Sequence, residues 1–331
     1  MKNNLKITTL LLVSLVSLIN AQEIIQISKA EVLERVSQEN QTLKISKEDF
    51  NEARADYRQT NAIFLPNIAV SHTGFSTTNP LMAFGSKLNQ SILTAADFNP
   101  DLLNNPNQTQ NFATRIEVKQ PLINMDGFYQ RKAAKNKMKA MTLQTERTSD
   151  YLVFEVDKAY MQLQLAYKAL EVMEKALQAA ESNKSLADNS FKQGYLQRAD
   201  VLAVEVRVTE VKNQLQLVKS NVLNASNYLS FLMNDSSNTM LHPSDSLSIN
   251  HFDLVVATQI STERSDIKAL QLASNAYETM NKADKMTFLP TLNAFGSYEL
   301  YDDQIFQGDA SGYLFGAQLS WTVLDGTKRF G

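Results

Sequence analysis

Residues 152–191 read LVFEVDKAYMQLQLAYKALEVMEKALQAAESNKSLADNSF, and this stretch decides the fold. Its apolar residues recur alternately four and three positions apart, and Lys184 is the one charged side chain in the series. A period of 3.5 residues predicts a helix that packs along a partner helix as a coiled coil. The series comprises Leu152, Val156, Ala159, Leu163, Ala166, Leu170, Met173, Leu177, Ala180, Lys184, Ala187 and Phe191.

The partner helix follows in the same chain. No proline interrupts the sequence from Gly127 to Gln193, and the four-three spacing resumes beyond Gly194. Gly194 supplies a permissive backbone for a turn, and Asp200 is placed to cap the returning helix. We therefore expect an antiparallel coiled-coil hairpin. Its second series is Val204, Val208, Val211, Leu215, Val218, Val222, Ala225, Leu229 and Leu232.

Four further segments alternate apolar and polar side chains with a period of two, which predicts strands. In the segment from Phe112 to Leu122, Arg115, Glu117 and Lys119 share one face, and we expect that face to meet water. Strands of about ten residues with one apolar face fit a membrane barrel whose outside meets lipid. A soluble sandwich, in which two apolar faces pack on each other, is the alternative. The other segments begin at Ile68, Leu292 and Tyr313.

The strands belong to an internal repeat. Residues 37–66 align with residues 261–290 without a gap, and in both copies a helical stretch ends at Phe-Leu-Pro, where proline forbids its continuation. A strand pair follows each copy and leads to an Asp-Gly turn, at Asp126-Gly127 and at Asp325-Gly326. The first copy has the longer connection between its strands. This connection, Asn79 to Gln110, is rich in Asn, Pro and Gln and is expected to be a long exposed loop.

Composition excludes several classes of function. The chain has 32 Lys and Arg against 35 Asp and Glu, so it lacks the concentrated basic charge that nucleic-acid binding requires. The absence of cysteine excludes disulfides, thiolate metal sites and cysteine nucleophiles. His72, His242 and His251 are scattered, and no nucleophile elbow or phosphate-binding glycine loop is present. We therefore expect no enzyme, no cofactor and no metal site.

The amino terminus reads as an export signal. Lys2 and Lys6 precede an apolar run that is too short to span a bilayer as a helix, which favours a cleaved signal peptide over an anchor. We divide this α+β chain into a signal peptide (1–21), a first repeat of helix, strand pair and long helical hairpin (22–233), a linker (234–250), and an incomplete second repeat (251–331).

The number of strands has a consequence for assembly. Four strands cannot close a barrel, and an open sheet edge in lipid leaves backbone groups unsatisfied at a cost of several kcal/mol each. Several copies must therefore pool their strands, and closed rotational symmetry predicts a homo-oligomer.

This order of elements resembles the TolC-like outer-membrane efflux proteins. The resemblance implies a homotrimer with a twelve-stranded barrel in outer-membrane lipid and a helical tunnel in the periplasm. It implies a passive exit duct for efflux or type I secretion, served by a periplasmic adaptor (membrane fusion) protein and an inner-membrane pump of the RND or ABC type. The motifs that carry it are Phe64-Leu65-Pro66, Phe288-Leu289-Pro290, Gln120-Pro121-Leu122-Ile123, Glu263-Arg264-Ser265-Asp266-Ile267, and Phe191-Lys192-Gln193-Gly194-Tyr195 with Asp200-Val201-Leu202.

One feature departs from that family. Its members carry a second helical hairpin after the second strand pair, whereas this sequence stops at Gly331. We therefore expect a C-terminally truncated member that does not form a stable sealed trimer by itself. The family's acidic constriction belongs to the second hairpin, so its residues are assigned to no position here.

Two groups of residues are candidates for function. We expect the hairpin tip, formed by Gln193, Gly194, Tyr195 and Leu196, to dock on the adaptor, the alternative being that Gly194 only makes a turn. We expect Arg115, Glu117 and Lys119 to line the barrel lumen. The alternative function is a non-conducting periplasmic coiled-coil adaptor or scaffold whose strands form a soluble sheet.

Overall fold

A computed structural model describes residues 24–237, 239–247, 261–324 and 326. The expected signal peptide, His251, Asp325 and the junction of the linker with the second repeat lie outside the described residues. The chain forms two compact units. One comprises the described residues of Met1–Glu48 and Gln144–Ser265, and the other comprises those of Asp49–Leu143 and Asp266–Gly331.

The described residues form helices and strands in the following order. They are β1 (Ile24–Ile27), α1 (Lys29–Glu39), α2 (Gln41–Gln59), β2 (Asn67–Thr77), α3 (Pro80–Asn89), α4 (Pro100–Asn104), β3 (Thr109–Ile123), α5 (Met125–Lys192), α6 (Arg198–Leu232), β4 (Met240–Pro243), α7 (Ser265–Met286), β5 (Thr291–Asp302) and β6 (Ala310–Ser320). Short 3₁₀ turns lie at Thr60–Ile63 and Ala95–Phe98.

The four predicted strands form one antiparallel sheet in the order β2-β3-β5-β6. The repeat is visible in this order, because each copy supplies one outer strand and one inner strand. Arg115 of β3 lies opposite Ser71 of β2 on one side and opposite Glu299 of β5 on the other. Side chains directly opposite each other point to the same face. The register therefore assigns every residue of the sheet to one of two faces.

The predicted coiled-coil hairpin is confirmed as α5 and α6. Most residues of the two predicted series are buried or half-buried, and Phe191, next to the tip, is 39% exposed. Lys184, the one charged residue of the two series, forms ion pairs. The Nζ atom of Lys184 lies 3.0 Å from Asp188 Oδ2 and 3.4 Å from Glu205 Oε1 on the returning helix. The hydrogen bond to Asp188 is the main reason why the pKa of Lys184 is raised.

A small parallel sheet, which the sequence analysis missed, completes the first unit. Strand β1 pairs with β4, so the segment interpreted as a linker contains a strand. The hydroxyl of Tyr160, on α5, donates to the carbonyl oxygen of Ile27 over 3.0 Å. Each strand has only four residues, too few to show an alternating pattern. The core around this sheet includes Ile27, Val32, Val36, Val156, Tyr160, Leu163, Leu229 and Leu241.

The segment from Asn79 to Gln110, expected to be a long exposed loop, is largely exposed but is not a loop without helices. The segment folds into α3, a 3₁₀ turn and α4 before β3 begins at Thr109. Each α-helix opens with an Asn-Pro pair in which the asparagine side chain accepts a backbone N–H and the proline occupies the first turn. Asn as the capping residue and Pro at the first helical position are start signals, and the sequence analysis took them for loop residues.

Two further expectations need correction. Asp126-Gly127 is not a turn, because both residues lie in the first turn of α5, where Asn124 Oδ1 accepts the backbone N–H of Gly127 over 2.9 Å. The helix of the first repeat is divided into α1 and α2 at Asn40. The buried Asn40 side chain donates to the carbonyl oxygen of Leu232 over 2.8 Å and accepts the backbone N–H of Leu43.

Candidate functional site

One face of the four-stranded sheet, the apolar face, consists mainly of large hydrophobic side chains. Tyr313 and Phe315 of β6 are 77% and 78% exposed, and Val70 of β2 is 69% exposed. A soluble sandwich would bury such a face against a second sheet. Instead, within the part of the chain that the structure describes, this face is uncovered. Its other members include Ile68, Ile116, Val118, Leu292, Tyr298 and Leu319.

The opposite, polar face carries the residues that were predicted to meet water. Arg115, Glu117 and Lys119 all lie on it, as the alternation indicated. Arg115 forms an ion pair with Glu299, its partner in the register, and Glu299 also accepts the hydroxyl of Tyr301. Lys119 Nζ lies 3.0 Å from Glu117 Oε1. The charges on this face are therefore matched in pairs of opposite sign.

Phe295 is the residue of the polar face that the sequence analysis missed. It lies opposite Lys119 on β3 and opposite Gly316 on β6. The strict alternation of β5 contains this signal, because Phe295 falls between Asn293 and Ser297 in the sequence. An aromatic side chain is thus placed beside a lysine on an otherwise mainly polar surface.

The two outer strands of the sheet leave their backbone edges open. Within the described residues, β2 pairs only with β3, and β6 pairs only with β5. Each outer strand is eleven residues long. Strands of this length can cross a bilayer when tilted, and an unpaired edge of that length invites pairing with another chain.

The hairpin tip is an exposed turn between α5 and α6. Gly194 has φ +80°, which only glycine adopts readily, and its N–H donates to the carbonyl oxygen of Phe191 over 2.9 Å. The N–H of Tyr195 donates to Ser190, which closes the end of α5 in a Schellman motif. Gln193 is exposed, Tyr195 is 83% exposed, and Leu196 is half-buried.

The cap of the returning helix differs in detail from the prediction. The N-cap position of α6 is occupied by Gln197, and Asp200 lies in the first turn of the helix. The Asp200 carboxylate accepts the backbone N–H of Gln197 over 2.9 Å. The side chain therefore reaches back to close the helix end. A carboxylate at this position also complements the positive end of the helix dipole.

Neither described histidine belongs to a candidate metal centre. His72 Nδ1 lies 2.9 Å from the hydroxyl of Thr114, and the ring of His242 packs on Tyr167 with centroids 4.4 Å apart. Among the described residues, no group of three or more His, Cys, Asp or Glu side chains could hold a metal ion. None of the described helices combines the length and apolar character needed to cross a membrane.

Comparisons with known proteins identify related sequences and folds. Residues 32–235 match the family model described as outer membrane efflux protein. Three solved structures are similar: the Campylobacter jejuni CmeC outer membrane channel, CusC, and the outer membrane protein VceC from Vibrio cholerae. No curated protein matches the sequence.

The likeness to these structures lies in the fold. The CmeC channel has a TM-score of 0.76 at 16% identity, over 91% of this chain and 63% of that chain. CusC has a TM-score of 0.74 at 16% identity, over 95% of this chain and 71% of that chain. VceC has a TM-score of 0.71 at 13% identity, over 91% of this chain and 70% of that chain. The matches include outer-membrane channels and no enzyme is among these three.

Proposed function

The chain belongs to the outer membrane efflux protein family, and from this premise we propose that it forms a passive exit duct in a tripartite efflux or type I secretion assembly. It is an outer-membrane protein with a periplasmic helical part. The duct would receive substrates from an inner-membrane pump of the RND or ABC type through a periplasmic adaptor protein. The hairpin tip around Tyr195 would dock on that adaptor, because it is the exposed end of two long helices.

One observation carries this proposal. A single sheet with an uncovered apolar face, a charged opposite face and two open edges is incomplete as a soluble object but suits a sector of a barrel in lipid. The edges of β2 and β6 would pair between copies, so that three chains make a twelve-stranded barrel. Arg115, Glu117 and Lys119 would then face the water-filled lumen.

The same arrangement supports the proposed domain organisation. β2 and β3 would be the strand pair of a first repeat within residues 22–233, which ends with the helical hairpin, and β5 and β6 would be the strand pair of a second, incomplete repeat within residues 251–331. Residues 234–250 would connect the two repeats, and residues 1–21 would direct export. The alternative of a non-conducting adaptor or scaffold has no comparable support, since it leaves the apolar face of the sheet in water.

Two adjacent residues of β2 test the duct. The chain has no cysteine, so single substitutions give unique thiols. We expect Ser71→Cys, on the polar face, to react with a membrane-impermeant thiosulfonate reagent in outer-membrane vesicles. Val70→Cys, on the apolar face, is the matched control and should stay unmodified. Equal reactivity of both thiols, or recovery of the protein in the soluble periplasmic fraction, would contradict the duct.

A further inference from the structure

A lateral row of residues across the polar face places an aromatic ring next to an ammonium group. Asn67, Lys119, Phe295 and Gly316 lie opposite one another on β2, β3, β5 and β6. A Cβ atom at Gly316 would come within 2.9 Å of Cζ of Phe295. The ring therefore lies over β6 in a space that only a glycine leaves open, and Lys119 remains beside it.

The row borders a concave pocket of about 710 Å³ at the end of the sheet where β2 begins and β3 ends. Leu65, Pro121 and Phe295 contribute apolar walls, and the polar groups include Asn293, Lys119 and its ion-pair partner Glu117. The pairing of β3 with β5 shifts register between Pro121 and Ile123. A bulge bends its strand locally, and such bends commonly form the borders of binding sites. Pockets of this size accommodate small organic molecules.

The pocket is lined by one cation, Lys119, and one anion, Glu117, and the cation is the more exposed of the two. The Lys119 side chain is 61% exposed, whereas that of its partner Glu117 is 32% exposed. An ammonium group has three N–H donors, and one carboxylate does not use all of them. Lys119 can therefore keep its ion pair with Glu117 and still bind a second anion from the solvent side.

We propose that this pocket binds organic anions that carry an aromatic ring, with the ring against Phe295 and the anionic group on the Lys119 ammonium. Stacking of aromatic rings adds specific affinity to the burial of apolar area. The inference deepens the proposed function, on which it rests for the polar face being open to water. Such a pocket would let the wall of the duct bind aromatic anions in preference to other molecules that pass along it.

A thiol-protection assay tests the pocket directly, using the full chain in outer-membrane vesicles. Asn293→Cys places a unique thiol in the pocket, and its modification rate by a small thiosulfonate is measured with and without naphthalene-2-sulfonate. We expect the sulfonate to slow modification of this thiol in a saturable manner. Ser71→Cys is the matched control, since it lies on the same face four residues from Asn67, roughly 13 Å along the strand. Its modification should not change.

Further variants in the Asn293→Cys background distinguish the contact with Lys119 from the contact with Phe295. Lys119→Gln and Phe295→Leu should each raise the concentration for half-protection by about two- to tenfold, the range for an exposed ion pair or an aromatic contact. Glu117→Gln should lower that concentration, because it releases Lys119 from its partner. A gain of this kind does not arise from misfolding. Naphthol and naphthylmethylammonium, the neutral and cationic analogues, should protect less than the sulfonate.

Each contrary result has one meaning. If Ser71→Cys reacts but the sulfonate does not protect Asn293→Cys, the pocket is wrong while the duct stands. Equal protection in Lys119→Gln, or better protection by the cationic analogue, would also overturn the pocket. If Ser71→Cys does not react at all, the polar face is closed to water and the proposed function fails first.

Discussion

Asp97, which lies in the connection between β2 and β3, shows how a single side chain can order such a segment. Its carboxylate accepts hydrogen bonds of 2.8 Å from Lys87 Nζ and from the backbone N–H and hydroxyl of Thr94. These bonds, that of Lys87 foremost, lower the pKa of Asp97 to about 2. The carboxylate thus joins α3 to the 3₁₀ turn that follows it.

This network predicts a dependence on pH. A carboxyl group whose pKa is depressed on folding contributes stability above its ordinary pKa and loses that contribution as the pH falls through the folded value. Exchange protection of the amides in residues 80–104 should therefore decrease between about pH 4 and pH 2. Hydrogen exchange with mass spectrometry, corrected for the intrinsic rate, measures it. Asp97→Asn should abolish the dependence, and an unchanged profile in that variant would rule out this carboxylate as the cause.

Single residues also show which features of the sheet can be predicted from the sequence and which cannot. The faces of Arg115, Glu117 and Lys119 follow from alternation alone, because the period of a strand fixes the direction of each side chain. The contact between Phe295 and Gly316 does not follow from alternation, because it depends on which residues of two distant segments stand opposite each other. Register between strands is a property of the folded sheet, so this part of the candidate pocket could not be found beforehand.

Among the elements, the hairpin was the easiest to predict and the small parallel sheet the hardest. The four-three spacing runs through both arms of the hairpin, and a repeated pattern accumulates evidence with every turn of helix. Strands β1 and β4 have four residues each and pair over a long separation in sequence, so neither a local pattern nor a turn signals them. The Asn-Pro helix starts at Asn79 and Asn99 were legible and were missed.

The core that joins the hairpin to the small sheet gives a prediction about helix α5. Leu163 is fully buried there, in a cluster drawn from six elements. Leu163→Ala should lower the free energy of unfolding of this unit by about 2–5 kcal/mol, because it removes apolar contacts and leaves a cavity. Thermal unfolding followed by circular dichroism measures the change.

Lys158→Ala, on the exposed side of the same helix, is the control for Leu163→Ala and should change the free energy of unfolding by no more than about 0.5 kcal/mol. If both variants melted at the temperature of the parent protein, the packed cluster would not be a principal source of stability for this unit.

For the whole molecule, the two faces of the sheet predict how the chain tolerates charge. Val70→Arg places a guanidinium on the apolar face and should disfavour membrane insertion by about 2–4 kcal/mol if the position lies near the middle of the bilayer. Ser71→Arg places the same group on the polar face and should insert normally. The amount of carbonate-resistant protein in the outer membrane distinguishes them. Equal amounts would show that lipid does not cover the apolar face.

The pairing of β1 with β4 sets an order of events during biogenesis. Residues 24–27 leave the export machinery early, yet the strand that receives them ends only at Pro243. Until that point Ile27 and Val32 have no Leu229 or Leu241 to pack on, so the nascent first unit cannot close its core. Ile27 and Val32 therefore stay exposed to water until α6 and β4 have also been exported.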